Sequence, residues 1–283
     1  MIFGDYRIET ISDTEFRLDG GAMFGVVPRV VWEKVCPPDE FNRIRLQTNC
    51  LFIETPHEKI LIETGIGGKW TTGQIQIYGI FRERNFAETL FEKTGYQPSD
   101  ISIVVNTHLH FDHCGGNTIY GASGEIVPHF PNARYYVSES EFRHAENPNE
   151  RDRASYLSEN WKALQTGGHL ELKPDDYEVV SGLTMRQTRG HNANMQTACL
   201  RRGGETLFCF ADVIPTRHHL PPAWVMGYDL YPTETLADKK RLLPSAVNEN
   251  WLCLFYHNFE RPLYRLIEKE GKFLAVEFSL DRI

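Results

Sequence analysis

The eleven residues 107–117 constrain this chain more than any other stretch of it. They place four metal-ligand side chains within six positions, namely His108, His110, Asp112 and His113. The apolar run of residues 101–105 comes immediately before them and predicts a buried strand. A strand that ends in a loop of imidazole and carboxylate groups can present ligands rigidly, and these groups bind zinc and similar metals. A chance cluster on a solvated loop is the alternative, and the density of ligand-type residues argues against it.

Three more candidate ligands follow in the second half of the chain. They are His191 after the predicted strand Leu183–Thr188, Asp212 after Thr206–Phe210, and His257 after Trp251–Phe255. Each residue stands at the end of a short apolar segment, as a site built on strand ends requires. The sequence therefore offers seven candidate ligands, all of which follow predicted strands.

Length and charge exclude several classes of protein. The 283 residues could make one large domain or two small ones. The net charge of −8 argues against a nucleic-acid binder, which needs a basic face. No run approaches the roughly 18 apolar residues of a membrane span. The first residues lack the basic and then apolar pattern of a signal peptide. We therefore predict a cytoplasmic protein without membrane contact.

The spacing His108-x-His110-x-Asp112-His113 resembles the signature of the metallo-β-lactamase fold superfamily. The three later candidates match the lone His, Asp and His of that family, so the resemblance covers most of the chain. It implies an α+β fold, a four-layer αββα sandwich. It also implies one metallo-β-lactamase-like domain over residues 1–283.

Seven ligands are too many for one tetrahedral ion and suit two ions side by side. By the resemblance, the first metal is held by His108, His110 and His191, the second by Asp112, His113 and His257, and Asp212 bridges them. Zinc is the expected metal, with iron, manganese or cobalt able to substitute. The resemblance implies that a hydroxide shared by the two ions attacks a carbonyl or phosphoryl centre. Asp112 could also carry a proton to the leaving group.

The expected reaction is hydrolysis of a lactone or related ester. Oxygen-reducing di-iron relatives carry glutamate where this chain has His110, so redox chemistry is disfavoured. The segments 20–28, 107–113, 212–216 and 224–229 resemble the quorum-quenching N-acyl homoserine lactonase branch, whose cousins include methyl parathion hydrolases. An organophosphate triesterase or an arylesterase is the alternative, and a metal-binding protein with a structural site is the non-enzymatic one. A small molecule is the expected partner, and a homodimer is compatible with the sequence.

Two places depart from that branch. Well-known lactonases carry a tyrosine three residues after the bridging aspartate, where its hydroxyl helps to hold the substrate carbonyl, and this chain has Pro215. The helper is then another group or is absent; His218 and His219 are the nearest candidates, and a plain loop role for them is equally open. Many relatives read Gly-His-x-x-Gly-His after the lone histidine. Here residues 190–195 read Gly-His-Asn-Ala-Asn-Met, so the turn after His191 must differ.

Four further residues are candidates for supporting roles. The apolar segment 21–28, interrupted by glycine and proline, is a poor helix or strand, and it could cover the core or line a substrate pocket through Met23 and Phe24, with Trp32 beyond it. Glu63 stands where the family commonly has Asp in an Asp-Thr-Gly sequence. It could brace a ligand histidine through a longer arm, or it could be a plain strand-end residue.

The remaining pattern predicts ordinary strands and helices. Residues 5–18 predict a hairpin or a pair of strands, and strands are expected at 48–54, 59–63, 133–137 and 273–278. A helix over 85–94 should bury Phe86, Leu90 and Phe91. Further helices are expected to begin near residue 138 and to cover 153–164 and 232–250. The last should kink or restart at Pro244.

Overall fold

The computed structural model describes residues 1–278 of the chain. Its strands are β1 (Ile2–Phe3), β2 (Tyr6–Asp19), β3 (Arg43–Glu54), β4 (Lys59–Ile62), β5 (Ile103–Val105), β6 (Thr118–Tyr120), β7 (Ile126–Pro128), β8 (Arg134–Ser138), β9 (Leu170–Lys173), β10 (Tyr177–Val180), β11 (Leu183–Gln187), β12 (Gln196–Arg202), β13 (Glu205–Cys209), β14 (Leu252–Leu254), β15 (Leu263–Lys269) and β16 (Lys272–Val276). Its α-helices are α1 (Gly20–Phe24), α2 (Arg29–Trp32), α3 (Thr72–Tyr78), α4 (Phe86–Thr94), α5 (Phe111–Cys114), α6 (Glu139–Glu146), α7 (Lys162–Thr166) and α8 (Pro232–Asn248).

Contacts divide the chain into two compact units. The first comprises residues 1–14 and 48–177, and the second comprises residues 15–47 and the chain from 178 onward. The chain passes between the units inside the strands β2 and β3, because the boundaries at 14/15 and 47/48 fall within them. The prediction of a single domain over 1–283 therefore stays a prediction.

The first seven-stranded sheet has the order β1-β2-β3-β4-β5-β8-β9. From β4 onward its neighbours are parallel, with Ile62 opposite Val105 and Val105 opposite Tyr136. All three residues of β5 are buried, as the apolar run before the ligand cluster predicted. Because parallel strands end at the same edge, the residues that follow β4 and β5 meet there.

The second seven-stranded sheet has the order β10-β11-β12-β13-β14-β15-β16. The neighbours β11, β12 and β13 alternate in direction, whereas β13 and β14 are parallel with Cys209 opposite Leu254. The strands β11, β13 and β14 therefore run the same way and end at one edge of the sheet. His191, Asp212 and His257 each follow one of these three ends within four residues.

Several local predictions are confirmed and several are wrong. The predicted strands at 48–54, 59–63 and 133–137 are present as β3, β4 and β8, and α6 begins after its cap Ser138. Residues 6–19 form one long strand instead of a hairpin or a pair, because only the short β1 turns back on it. The segment 21–28, expected to be a loop, begins with the five-residue helix α1, which Asp19 caps by accepting a hydrogen bond from the Ala22 amide.

Three helix predictions need correction. In α4, Phe86 and Leu90 are buried as predicted, but Phe91 is 52% exposed. Residues 153–164 form two 3₁₀ turns followed by α7 instead of one helix. Tyr156 and Trp161 are both buried in one apolar cluster, and positions five residues apart lie on different faces of an α-helix, so the chain has to turn to bury both.

The longest helix, α8, is continuous through Pro244, so the predicted restart does not occur. Its buried face includes Leu242, Leu243 and Ala246, which join the core cluster of the second unit with Phe255 and Tyr264. That face supplies the apolar burial that offsets the hydrogen bond lost at the proline. Among residues 1–278, no helix combines the length and the apolar character that crossing a bilayer requires.

Candidate metal centre

In the first unit, the ligand cluster begins three residues after β5. The rings of His108 and His113 lie 4.0 Å apart between centroids, and His110 meets His108 edge-on at 4.5 Å. His108 and His113 are fully buried, and His110 and Asp112 are each 7% exposed. Glu141 holds the loop that carries these ligand candidates. Its Oε1 accepts hydrogen bonds from the Leu109 amide at 2.9 Å and from the Tyr156 hydroxyl at 3.0 Å.

Glu63 directly follows β4 and lies next to His108 and His113. Its Oε1 contacts His113 Nδ1 at 3.2 Å and accepts hydrogen bonds from the amide and the hydroxyl of Thr107. That hydroxyl lies 3.0 Å from His108 Nδ1. Glu63 is close enough to both histidines to be a ligand itself. Because it contacts Nδ1 of His113, Glu63 is also placed to orient that ring, and its role as a brace stays a prediction.

The two glycines after the cluster allow a close approach between two backbone segments. A Cβ at Gly116 would lie 2.1 Å from the Thr64 carbonyl oxygen, and one at Gly115 would lie 2.2 Å from that of Ile66. Lys69 donates hydrogen bonds to the Gly115 and Thr118 carbonyls at 2.6 and 2.8 Å. The Cys114 thiol is fully buried, and burial raises its pKa well above the ordinary range.

In the second unit, strand register brings the ligand candidates together. Asp212 and His257 each lie three residues beyond the paired residues Cys209 and Leu254 of two parallel strands. Asp212 Oδ1 is 3.3 Å from His257 Nε2, and Asp212 Oδ2 is 3.3 Å from His191 Nε2. The carboxylate therefore turns a separate oxygen toward each histidine. All three side chains are at least 94% buried.

Both of these histidines are held through their other ring nitrogen. His257 Nδ1 lies 3.0 Å from the Gln47 carbonyl oxygen, and His191 Nδ1 lies 3.0 Å from Asp229 Oδ1. Asp229 is buried and also accepts a hydrogen bond from the hydroxyl of Thr235 at 2.6 Å. The turn after His191, which differs from that of many relatives, is closed by Asn192. Its side-chain oxygen accepts hydrogen bonds from the amides of Asn194 and Met195.

The donor set fits a divalent metal of the zinc type. The ligand candidates of each unit are imidazole and carboxylate groups, which are the ligands that zinc and similar transition metals bind. Four of the five candidate histidines have Nδ1 beside an acceptor, which is the arrangement typical of histidines that bind a metal through Nε2. Three of these acceptors, Thr107, Asp229 and the Gln47 carbonyl, were not predicted from the sequence, because nothing in the local pattern marks a residue as the partner of a ligand histidine.

The substrate candidates lie in the second unit and are mostly buried. Phe24 stacks on Trp32 with centroids 5.2 Å apart and on His219 at 4.7 Å. Met23, Phe24, Trp32 and His219 are at most 1% exposed, whereas His218 is partly exposed and lines a cavity. Contact of these residues with a substrate stays a prediction.

An aromatic cluster beside the ligand loop was not predicted. Trp70, Tyr78 and Phe111 lie within 5.3–5.4 Å of one another between ring centroids. Phe111 belongs to the ligand loop, and Tyr78 ends α3, a helix without buried residues. Burial and the nearby Asp112 charge raise the pKa of the Tyr78 phenol, so it is protonated at neutral pH.

The sequence and the fold of this chain are similar to those of known proteins. The model of the metallo-beta-lactamase superfamily matches residues 43–243. An N-acyl homoserine lactonase of Bacillus cereus is 26% identical over 231 residues, which cover 78% of this chain and 84% of that protein. The crystal structure of a probable metal-dependent hydrolase from Staphylococcus aureus has 29% identity and a TM-score of 0.88, covering 99% of this chain and 100% of that one.

A further similar structure is that of a dizinc quorum-quenching lactonase in complex with a product. It covers 99% of this chain and 96% of its own, with a TM-score of 0.79 and 19% identity, and so it shows the fold alone. The chain belongs to the metallo-β-lactamase superfamily, as the match over 201 of 283 residues shows. The predicted fold, the α+β sandwich of that superfamily, is confirmed, and the chain is a metallo-hydrolase with lactonase-like homologues.

Proposed function

We propose that this protein is a hydrolase that uses two divalent metal ions to cleave lactones or related carboxylic esters. The observation that carries the proposal is the position of Asp212, whose two oxygens each lie 3.3 Å from a different histidine Nε2. A carboxylate that turns one oxygen to each of two histidines is placed to be shared between two ions. A structural site has four ligands around one ion and does not require a carboxylate shared between two ions.

The assignment of ligands follows the order of the family signature. His108, His110 and His191 would hold one ion, and Asp112, His113 and His257 would hold the other. Asp212 would be common to both. Seven ligands are more than one tetrahedral ion takes, and imidazole with carboxylate suits zinc; iron, manganese or cobalt could substitute because the same ligand types bind them.

Two such ions would supply Lewis acidity and would lower the pKa of a water bound to them. The chain's own residues supply orientation. Glu63, Asp229 and the Gln47 carbonyl each face the Nδ1 of one ligand histidine, which aims its Nε2 and makes the ring a stronger base. Asp112, which is 7% exposed, is the carboxylate we assign to proton transfer toward the leaving group.

The substrate class rests on the relatives. Proteins named N-acyl homoserine lactonases match three quarters or more of this chain. Against a standard lactonase stands Pro215, which removes the hydroxyl that holds the carbonyl in well-known members. A phosphotriester or an aryl ester with a good leaving group needs no such hydroxyl, so hydrolysis of those substrates is the second candidate. A cytoplasmic location and a homodimer stay predictions.

The test compares kcat/KM for three substrate classes with the metal-loaded protein. They are acyl homoserine lactones, organophosphate triesters and p-nitrophenyl esters. We expect lactone turnover at least about tenfold above the others, a difference of roughly 1.4 kcal/mol in transition-state binding. Turnover of triesters alone would contradict the lactone proposal and support hydrolysis of phosphotriesters instead. Protein with both ions bound that hydrolyses none of the three would contradict the enzymatic proposal.

A further inference from the structure

His191 is held through its main chain as well as through its ring. The Leu230 amide donates a hydrogen bond to the His191 carbonyl at 3.0 Å. The Tyr231 amide donates to the carbonyl of the preceding residue, Gly190, at 2.8 Å. Because Asp229 also lies 3.0 Å from His191 Nδ1, the short segment that leads into α8 holds both the backbone and the ring of this ligand candidate.

The first turn of α8 approaches the same backbone closely. A Cβ added at Gly190 would lie 2.4 Å from Thr235 Oγ1 and 2.9 Å from the Thr235 amide nitrogen. Glycine at this position is what permits the contact, since a side chain would push the helix away. Thr235 is buried, and its amide donates to the Tyr231 carbonyl at 3.1 Å. Its side chain therefore has a fixed place beside the residue that precedes His191.

The Thr235 hydroxyl ends a polar chain that begins at His191. It donates a hydrogen bond to Asp229 Oδ2 at 2.6 Å, while the other oxygen, Oδ1, lies 3.0 Å from His191 Nδ1. Asp229 is buried, and a buried carboxylate keeps a defined orientation when each oxygen has a hydrogen-bond partner. Loss of the hydroxyl would therefore loosen the carboxylate that faces the ligand candidate.

The next turn of α8 holds the chain that precedes Asp229. Lys239 lies four residues after Thr235, on the same buried face of the helix. Its Nζ donates hydrogen bonds at 2.6, 2.9 and 2.7 Å to three backbone carbonyl oxygens, those of His219, Pro221 and Trp224. Burial lowers the pKa of Lys239 to about 7, and the charge of Asp229 opposes that shift. Two successive turns of one helix therefore hold the chain from residue 219 to residue 229.

We propose that Thr235 is a positioning residue for His191, that it acts through Asp229, and that α8 thereby sets how tightly His191 binds a metal ion. The inference rests on the proposed function in one respect, since it takes His191 as a metal ligand. A ligand histidine is oriented by the partner of its second nitrogen, and that partner must itself be oriented. Thr233, two residues earlier in the same helix, is exposed and gives a matched comparison.

The first test compares substitutions in the first turn of α8. Thr235→Val keeps the branched shape and removes the hydroxyl, Thr235→Ser keeps the hydroxyl, and Thr233→Val makes the same change at the exposed position. Competition of the full chain with a chromophoric chelator for zinc gives the metal affinity. We expect Thr235→Val to lose about 3–10-fold in affinity, less than the about 10–100-fold cost of removing a direct partner. Thr235→Ser and Thr233→Val should keep the wild-type affinity.

Wild-type affinity in Thr235→Val would overturn the proposal. An equal loss in Thr235→Ser or in Thr233→Val would also overturn it, because the hydroxyl of Thr235 would not be the cause. If Thr235→Val does not fold, Thr235→Ala removes the same hydroxyl and is judged by the same outcomes. A wild-type protein that binds no zinc would contradict the proposed function as well, whereas zinc binding that ignores Thr235 would contradict this inference alone.

The second test asks whether Thr235 acts through Asp229. It compares the zinc affinities of Thr235→Val, Asp229→Ala and the variant that carries both changes. We expect the double variant to lose no more affinity than Asp229→Ala alone, because no carboxylate is left for the hydroxyl to orient. A general structural role predicts independent effects instead. A double variant whose loss equals the product of the two single losses would therefore overturn the positioning role.

Discussion

A histidine serves as a metal ligand most reliably when its second ring nitrogen is held. The seven ligand candidates could be predicted from sequence, because each follows an apolar segment and carries a ligand-type side chain. Their supporting residues could be predicted only in part. Glu63 was a candidate because it occupies a family position, whereas Asp229 lies 38 residues from His191 and has no local signal. The partnership exists only after the chain has folded.

Asp229 gives a prediction at this scale. Asp229→Ala leaves His191 Nδ1 without its acceptor, so the ring loses its fixed tautomer and orientation. Metal affinity should fall about 10–100-fold, the usual cost of removing such a partner. Competition with a chromophoric chelator measures it. Asp238→Ala is the control, because this acid pairs with Arg241 at the surface of the same region. Equal affinities in both variants would show that Asp229 does not support the ligand.

At the scale of elements, prediction succeeded where the local apolar pattern was enough to define the element. The strands before the ligands and the helix α4 belong to this class. It failed where distant packing decides the local form. Residues 153–164 turn because Tyr156 and Trp161 are buried together. The five-residue α1 is stabilised by its Asp19 cap and by the stacking of Phe24, neither of which the apolar pattern contains.

Pro244 inside α8 gives a second prediction. The residue has no amide hydrogen for the Lys240 carbonyl, yet the helix continues through it. Pro244→Ala restores that hydrogen bond and should raise the free energy of unfolding by about 1–3 kcal/mol, given the roughly 3 kcal/mol penalty of an interior proline. Urea titration followed by circular dichroism measures it. A variant less stable than the wild type would show that the proline ring packs where alanine leaves a gap.

At the scale of the whole molecule, two compact units share two continuous strands. Because β2 and β3 each contribute residues to both units, loss of one unit would remove part of a strand from the other. We therefore predict one cooperative unfolding transition of the metal-free protein. Tryptophan fluorescence reports on both units through Trp161 and Trp251, and single-tryptophan variants can separate them. Transitions at different urea concentrations would contradict the prediction of a single domain.

The central claim is a centre of two metal ions that share Asp212, and the most direct test is the metal content per chain. Elemental analysis of the purified protein, before and after incubation with zinc and gel filtration, should give about two ions, as seven ligands require. Asp212→Ala should lower the content at both positions together. A content that stays near zero after incubation, or an Asp212→Ala protein with the wild-type content, would contradict the account.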